Sequence, residues 1–107
     1  MAGEITVVFC SDEYLLQLNK EFLDHDYFTD IITFDYCDNN IISGDIFVSI
    51  DRIHYNAKKY NVGFNIELHR VLFHGVLHLI GYNDKTSGEK KEMRSKEDYY
   101  LNEFLKN

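Results

Sequence analysis

Asn65-Ile66-Glu67-Leu68-His69-Arg70-Val71-Leu72-Phe73-His74-Gly75-Val76-Leu77-His78-Leu79-Ile80-Gly81-Tyr82-Asn83-Asp84 is the most apolar stretch of this 107-residue chain. Asn65 offers a helix cap, and the run from Ile66 to about Ile80 carries Leu68, Val71, Leu72, Val76, Leu77 and Leu79 nearly all the way round. Such a helix is buried on most sides. Gly81 stops it. Two histidines interrupt the apolar surface, His74 and His78, four residues apart and so on one face, one turn apart. That spacing lets two ring nitrogens reach one ion at about 2.0–2.1 Å. A third ligand has to come from another direction. Gly81 can take a positive φ at the helix end and turn the chain so that Asp84 returns over the ion. Three protein ligands leave one position for water, the arrangement of a catalytic rather than a structural zinc.

Two histidines on a buried helix can also be ordinary core residues with satisfied hydrogen bonds. Without partners, each imidazole would carry a desolvation cost of about 1–3 kcal/mol, and a shared cation relieves both. The glycine at +7 and the carboxylate at +10 favour the metal, with His74, His78 and Asp84 as its ligands. The same 0, +4, +7, +10 spacing occurs in metzincin proteases, which place a glutamate general base directly after the first histidine. Gly75 stands there instead, so a peptidase mechanism lacks its base.

Working outward from this helix, Ile5–Phe9 reads as a strand, and Ser11-Asp12 caps a helix to about Phe22 with Leu15, Leu18, Asn19 and Phe22 near one face. Ile31–Phe34 and Ile46–Ile50 read as strands on either side of the turn residues Asp38-Asn39-Asn40. Asp51 is a cap for a helix carrying Ile53, Ala57 and Tyr60, ended by Asn61 and Gly63. Thr86-Ser87-Gly88-Glu89 has the spacing of a capping box for a last helix to about Leu105, docked by Met93, Tyr100, Leu101 and Phe104. Its charged run Glu89–Asp98 reads as a solvated face. The expected fold is α+β: a small mixed four-stranded sheet packed with helices, zincin-like, with the metal site at the end of a buried helix.

One domain of 1–107 suits this length, and there is no repeat or linker to divide it. The formal charge of −7, from 11 basic and 18 acidic residues, argues against a general nucleic-acid clamp. It does not argue against an enzyme that meets nucleic acid at a metal, because a dication adds local positive charge. Cys10 and Cys37 lie in no metal-ribbon spacing and read as reduced thiols of a cytosolic protein. No apolar run reaches the length of a membrane span, so no membrane is expected. No nucleotide cofactor is expected either.

His74-Gly75, Leu77-His78-Leu79 and Gly81-Tyr82 resemble the H-G-x-L-H-L-x-G-Y-D-H hallmark of the YbeY-type rRNA maturation factors, bacterial metal-dependent endoribonucleases. Leu18-Asn19 with Thr29-Asp30-Ile31-Ile32-Thr33-Phe34, and Ser43-Gly44-Asp45-Ile46, resemble two further family blocks in the family's order. The resemblance runs from Ile5 onward. Family members usually carry an additional N-terminal segment, so this chain is expected to start late. Two positions depart from the pattern. Asp84 stands where the family's third ligand is usually histidine, with Asn83 in place of the preceding aspartate. A carboxylate lowers the charge of the metal centre and brings oxygen-preferring ions such as Mn²⁺ into range, although zinc remains the first expectation. Leu23 stands at a family arginine thought to face RNA, and Lys20, Arg52 and Arg70 are the available substitutes.

The resemblance implies hydrolysis of single-stranded RNA in rRNA maturation, at the 16S 3′ end and in ribosome quality control, in the cytoplasm, with rRNA and ribosomal proteins as partners. Water activated at the metal is the expected nucleophile. Asp45 and Asp30 are candidates for positioning it. Both also suit ordinary loop and strand-entry roles, as His25 and His69 suit solvated ones. Two other readings remain: a ribosome-associated accessory protein with a structural metal, and a zinc peptidase.

Overall fold

The central element of the sheet is β3, Ile42–Ser49, which pairs on both sides. A computed structural model describes residues 2–106. β1 (Ala2–Cys10) runs parallel to β3, and β2 (Ile31–Asp35) runs antiparallel to it, so the order is β1-β3-β2. The sheet is mixed, as expected, but among the described residues it has three strands rather than four. The Asp38-Asn39-Asn40 turn joins β2 to β3. Asp38 and Ile41 exchange both backbone hydrogen bonds, and Asn39 and Asn40 between them have φ of 48° and 69°. Positive φ at both central residues is the type I′ hairpin turn, which matches the right-handed twist of the strands and which asparagine tolerates.

Alternation along β3 sends Gly44, Ile46 and Val48 to one face and Asp45 and Phe47 to the other. The first face packs against α2 (Ile50–Tyr60) and α3 (Phe64–Leu79), where Ile46, Val48, Ile53, Val71 and Leu79 form the core. The second is covered by α1 (Asp12–Leu23), whose Phe22 meets Phe34 edge-on, and Phe34 in turn meets Phe47. α4 (Ser87–Leu105) lies against α3. Its capping box is formed: Thr86 accepts from the Glu89 N–H while the Glu89 carboxylate accepts from the Thr86 N–H. Met93 and Leu101 dock it as buried residues, while Tyr100 and Phe104, partly exposed, meet Phe73 and His69 of α3 with their rings.

Two caps differ from expectation. Ser49, not Asp51, caps α2, because its hydroxyl accepts from the Arg52 N–H and leaves Asp51 in the first turn. Gly63, not Asn65, precedes α3. α3 crosses the sheet closely. A β-carbon on Gly75 would stand 2.8 Å from Ile31 Cδ1 and 3.2 Å from Ile46 Cγ2. Gly75 is thus the contact point between helix and sheet, and a peptidase glutamate there would point into the core. Cys10 and Cys37 are both free. No helix among the described residues is long and apolar enough to cross a membrane.

Candidate metal centre

α3 ends at Leu79 with Ile80 as its C-cap, and Gly81 follows with φ of 109°. This left-handed turn is open to glycine at little cost, and it brings Asp84 back over the last turn of the helix. His74 Nε2 and His78 Nε2 stand 2.9 Å apart. Asp84 Oδ2 lies 3.2 Å from the first and 3.3 Å from the second. The structure therefore brings together all three residues singled out in the sequence, with one donor atom from each within 4.8 Å of the others.

The remaining ring nitrogens are committed elsewhere. His78 Nδ1 lies 3.0 Å from the Tyr82 carbonyl, which can only accept, so Nδ1 carries the proton. His74 Nδ1 lies 2.6 Å from Glu97 Oε2. With both Nδ1 atoms donating, neutral imidazoles present two Nε2 lone pairs and a carboxylate oxygen to one point. Three such donors repel one another unless a proton or a cation lies between them. This donor chemistry fits a divalent metal.

Glu97 is the residue that the sequence reading missed. It lies in the charged run that reads as a solvated face, yet it is only 5% exposed. Arg70 Nη1 approaches its Oε1 at 3.4 Å and Arg94 Nη1 at 3.5 Å, while Arg70 also holds Asp98 at 2.8 Å. A signal did exist: Met93, Glu97 and Leu101 are spaced four apart, so Glu97 lies on the docking stripe of α4. Burial alone would lower the His74 pKa. The hydrogen bond and charge of Glu97, with the charges of Asp84 and Asp30, outweigh burial and hold it above 6.5.

Two cavities open on the site. One of about 320 Å³ runs along β2 and is lined by Leu23, His25, Tyr27, Asp30 and Thr33 together with His74, His78 and Asp84. The other, of about 490 Å³, lies between α2, α3 and α4 and shares Asp30, His74 and Asp84 with the first. Asp30 thus faces the site from both sides, and burial raises its pKa, with the His74 charge acting in the opposite direction. Asp45 does not reach either cavity. It points from the other face of the sheet and is bonded by the Tyr36 hydroxyl at 3.2 Å. His69 is outside the site as well, bonded to the Asn65 carbonyl and stacked on Phe104. His25 does line the smaller cavity, with its ring stacked on Tyr27.

This geometry has known relatives. The model of the Endoribonuclease YbeY family matches residues 1–105. The chain belongs to the YbeY endoribonuclease family. A YbeY endoribonuclease from Cytophaga hutchinsonii is 60% identical over 99 residues, covering 92% of this chain and 69% of that protein. One from Bacteroides thetaiotaomicron is 52% identical over 99 residues, covering 92% of this chain and 72% of its own. A Thermotoga maritima protein solved in solution superposes with a TM-score of 0.66 at 33% identity, covering 91% of this chain and 65% of that one.

Leu23, which the motif resemblance sets at an arginine position, lines the smaller cavity. Of the three cations that could stand in for an arginine, Lys20 pairs with Asp26 and Arg52 with Asp12. Only Arg70 of these three lines a cavity with His74 and Asp84.

Proposed function

We propose that this protein is a metal-dependent endoribonuclease that cleaves single-stranded RNA during rRNA maturation, 16S 3′-end processing included, and takes part in ribosome quality control. The observation that carries the reading is the convergence of His74, His78 and Asp84 on one point, at the junction of two open cavities, in a chain matched by the YbeY family model over residues 1–105. His74 Nε2, His78 Nε2 and Asp84 Oδ2 are the ligand set, and zinc is the first candidate for the ion. When bound, such an ion supplies Lewis acidity toward a phosphoryl oxygen and an acidified water.

The chain's own residues do the rest. Glu97 and the Tyr82 carbonyl hold the Nδ1 protons and so fix both rings with Nε2 facing inward. Asp30, a carboxylate of raised pKa facing both cavities, is placed to take a proton at one of its oxygens or to orient a water. The two cavities offer a strand a path across the site. α3 beside the edge strand β2 supports the zincin-like description, while Gly75 against Ile31 and Ile46 speaks against a peptidase. In this reading the partners are rRNA, the ribosome and its proteins, and the setting is the cytoplasm.

The test is metal analysis followed by incubation with unstructured RNA and with casein, with and without chelator. RNA cleavage that chelator stops, and that is lost in Asp84→Ala, is the expected result, with casein left intact. His78→Ala should empty the site, since two ligands hold an ion poorly. Bound metal with no cleavage of either substrate would instead favour an accessory protein with a structural ion.

A further inference from the structure

The larger cavity contains a carboxylate that nothing yet described employs. Glu67 stands on α3 seven residues before His74, about 10 Å along the helix axis. It is 5% exposed and lines the cavity. Among the described residues its side chain makes no hydrogen bond and no ion pair. Burial raises its pKa; Asp30 and Glu97 act in the same direction, and Arg70 and Arg94 pull against them. Arg52 Nε is the one solvent-sealed side-chain atom without a partner among the described residues, so the Glu67 oxygens are open to the cavity, where a carboxylate with no protein partner is free to accept from a ligand.

The walls restrict what that partner can be. Glu67 forms no group of three potential metal-ligating residues of the kind His74, His78 and Asp84 form, so a second ion is not indicated among the described residues. A phosphate would meet four carboxylates, Asp30, Glu67, Asp84 and Glu97, against Lys90 and two arginines, Arg70 and Arg94, that are already paired with Glu97. A neutral group with adjacent N–H donors suits the carboxylate, and acceptors elsewhere on it suit Arg70 and Arg94. Arg70 meets Glu97 and Asp98, and Arg94 meets Glu97, through Nη1, which leaves other N–H donors of each guanidinium to face a ligand.

We propose that this cavity is a nucleobase pocket that takes a guanine of the RNA strand, with Glu67 accepting from its N1–H and N2–H₂ and Arg70 or Arg94 donating to O6 or N7. Guanine is the base that offers two neighbouring donors together with the O6/N7 acceptor pair that arginine reads. Adenine lacks the second donor and O6; cytosine and uracil lack N7. The cavity, at about 490 Å³, is of the size of ordinary small-molecule sites. Because His74 and Asp84 also line this cavity, a guanine held there would set which phosphodiester reaches the metal centre. The proposal rests on the endoribonuclease reading for the strand, but not for the binding of the base.

The experiment therefore has two arms. In the first, the metal-loaded protein is titrated with guanosine, inosine, adenosine and cytidine, and amide and arginine Nε–H shifts are followed by NMR. Guanosine should bind at least fivefold more tightly than inosine, which lacks the N2 amino group, and should perturb Arg70 and Arg94. Glu67→Gln, nearly isosteric, should remove that preference; the exposed Arg94→Ala should weaken guanosine binding in a protein whose thermal unfolding is unchanged. In the second, cleavage sites are mapped on single-stranded RNA of randomised sequence, where cuts should cluster at a fixed offset from guanosine and lose that bias in Glu67→Gln. Equal binding of all nucleosides, or no binding, overturns the pocket. Cleavage without base bias does so too, while leaving the endoribonuclease reading intact. Absence of RNA cleavage with guanosine preference retained strikes that reading alone.

Discussion

Glu97 Oε2 lies 2.6 Å from His74 Nδ1, so a carboxylate from the last helix fixes a ring carried by the third. A histidine ligand oriented in this way presents its other nitrogen in one direction, and partners of this kind are typically worth about 10–100-fold in metal affinity. Glu97→Ala should lose metal by that factor in a competitive chelator titration. Glu97→Gln, which can still accept from the ring, should lose less. Unchanged affinity in the alanine variant would remove the positioning role.

The pH dependence of the metal-free protein follows from His74. Its pKa is held above 6.5 chiefly by Glu97, against the effect of burial. A raised folded-state pKa stabilises the fold below the unfolded value, and this contribution is lost as pH rises through the folded value. Thermal unfolding of chelator-treated protein should therefore show declining stability from about pH 6.5 upward on account of this group. Metal affinity should move the other way and increase over the same window, because the ion must displace the proton.

Gly75 marks the closest approach of α3 to the sheet. Gly75→Ala adds a methyl 2.8 Å from the movable end of Ile31, a clash set against a helix-propensity gain of about 1 kcal/mol, so its Tm should change little. Gly75→Glu would bury an unpaired charge between Ile31 and Ile46, at a cost of about 3 kcal/mol or more. For a domain of this size that lowers Tm by more than about 10 °C. A folded, stable Gly75→Glu protein would show that the helix can lift from the sheet.

Thr86 starts the helix that delivers Glu97. Loss of the hydrogen bond that its hydroxyl accepts from the Glu89 N–H in Thr86→Ala should cost about 1 kcal/mol and lower Tm by about 4–8 °C. Metal affinity, measured well below that temperature, should be nearly unchanged, since Met93 and Leu101 still hold α4 in place.

Much of this protein was legible from local spacing alone. The four-residue interval of His74 and His78, the stop at Gly81, the turn at Asn39-Asn40 and the box at Thr86–Glu89 depend on backbone geometry within a few residues, which a sequence states directly. These features, with the motif blocks, picked out the His74, His78 and Asp84 cluster that could hold a metal, and the family. Where a partner was distant along the chain, the sequence was silent or misleading. Ser49 took the cap from Asp51 because β3 ends there, and Asp45 left the site because strand alternation put it on the far face of the sheet. Glu67 and Glu97 read as charged positions of two helices and proved to be buried beside the same cavity. A carboxylate has no local signature of burial: its environment is set by which helix packs against which, and only the tertiary structure decides that.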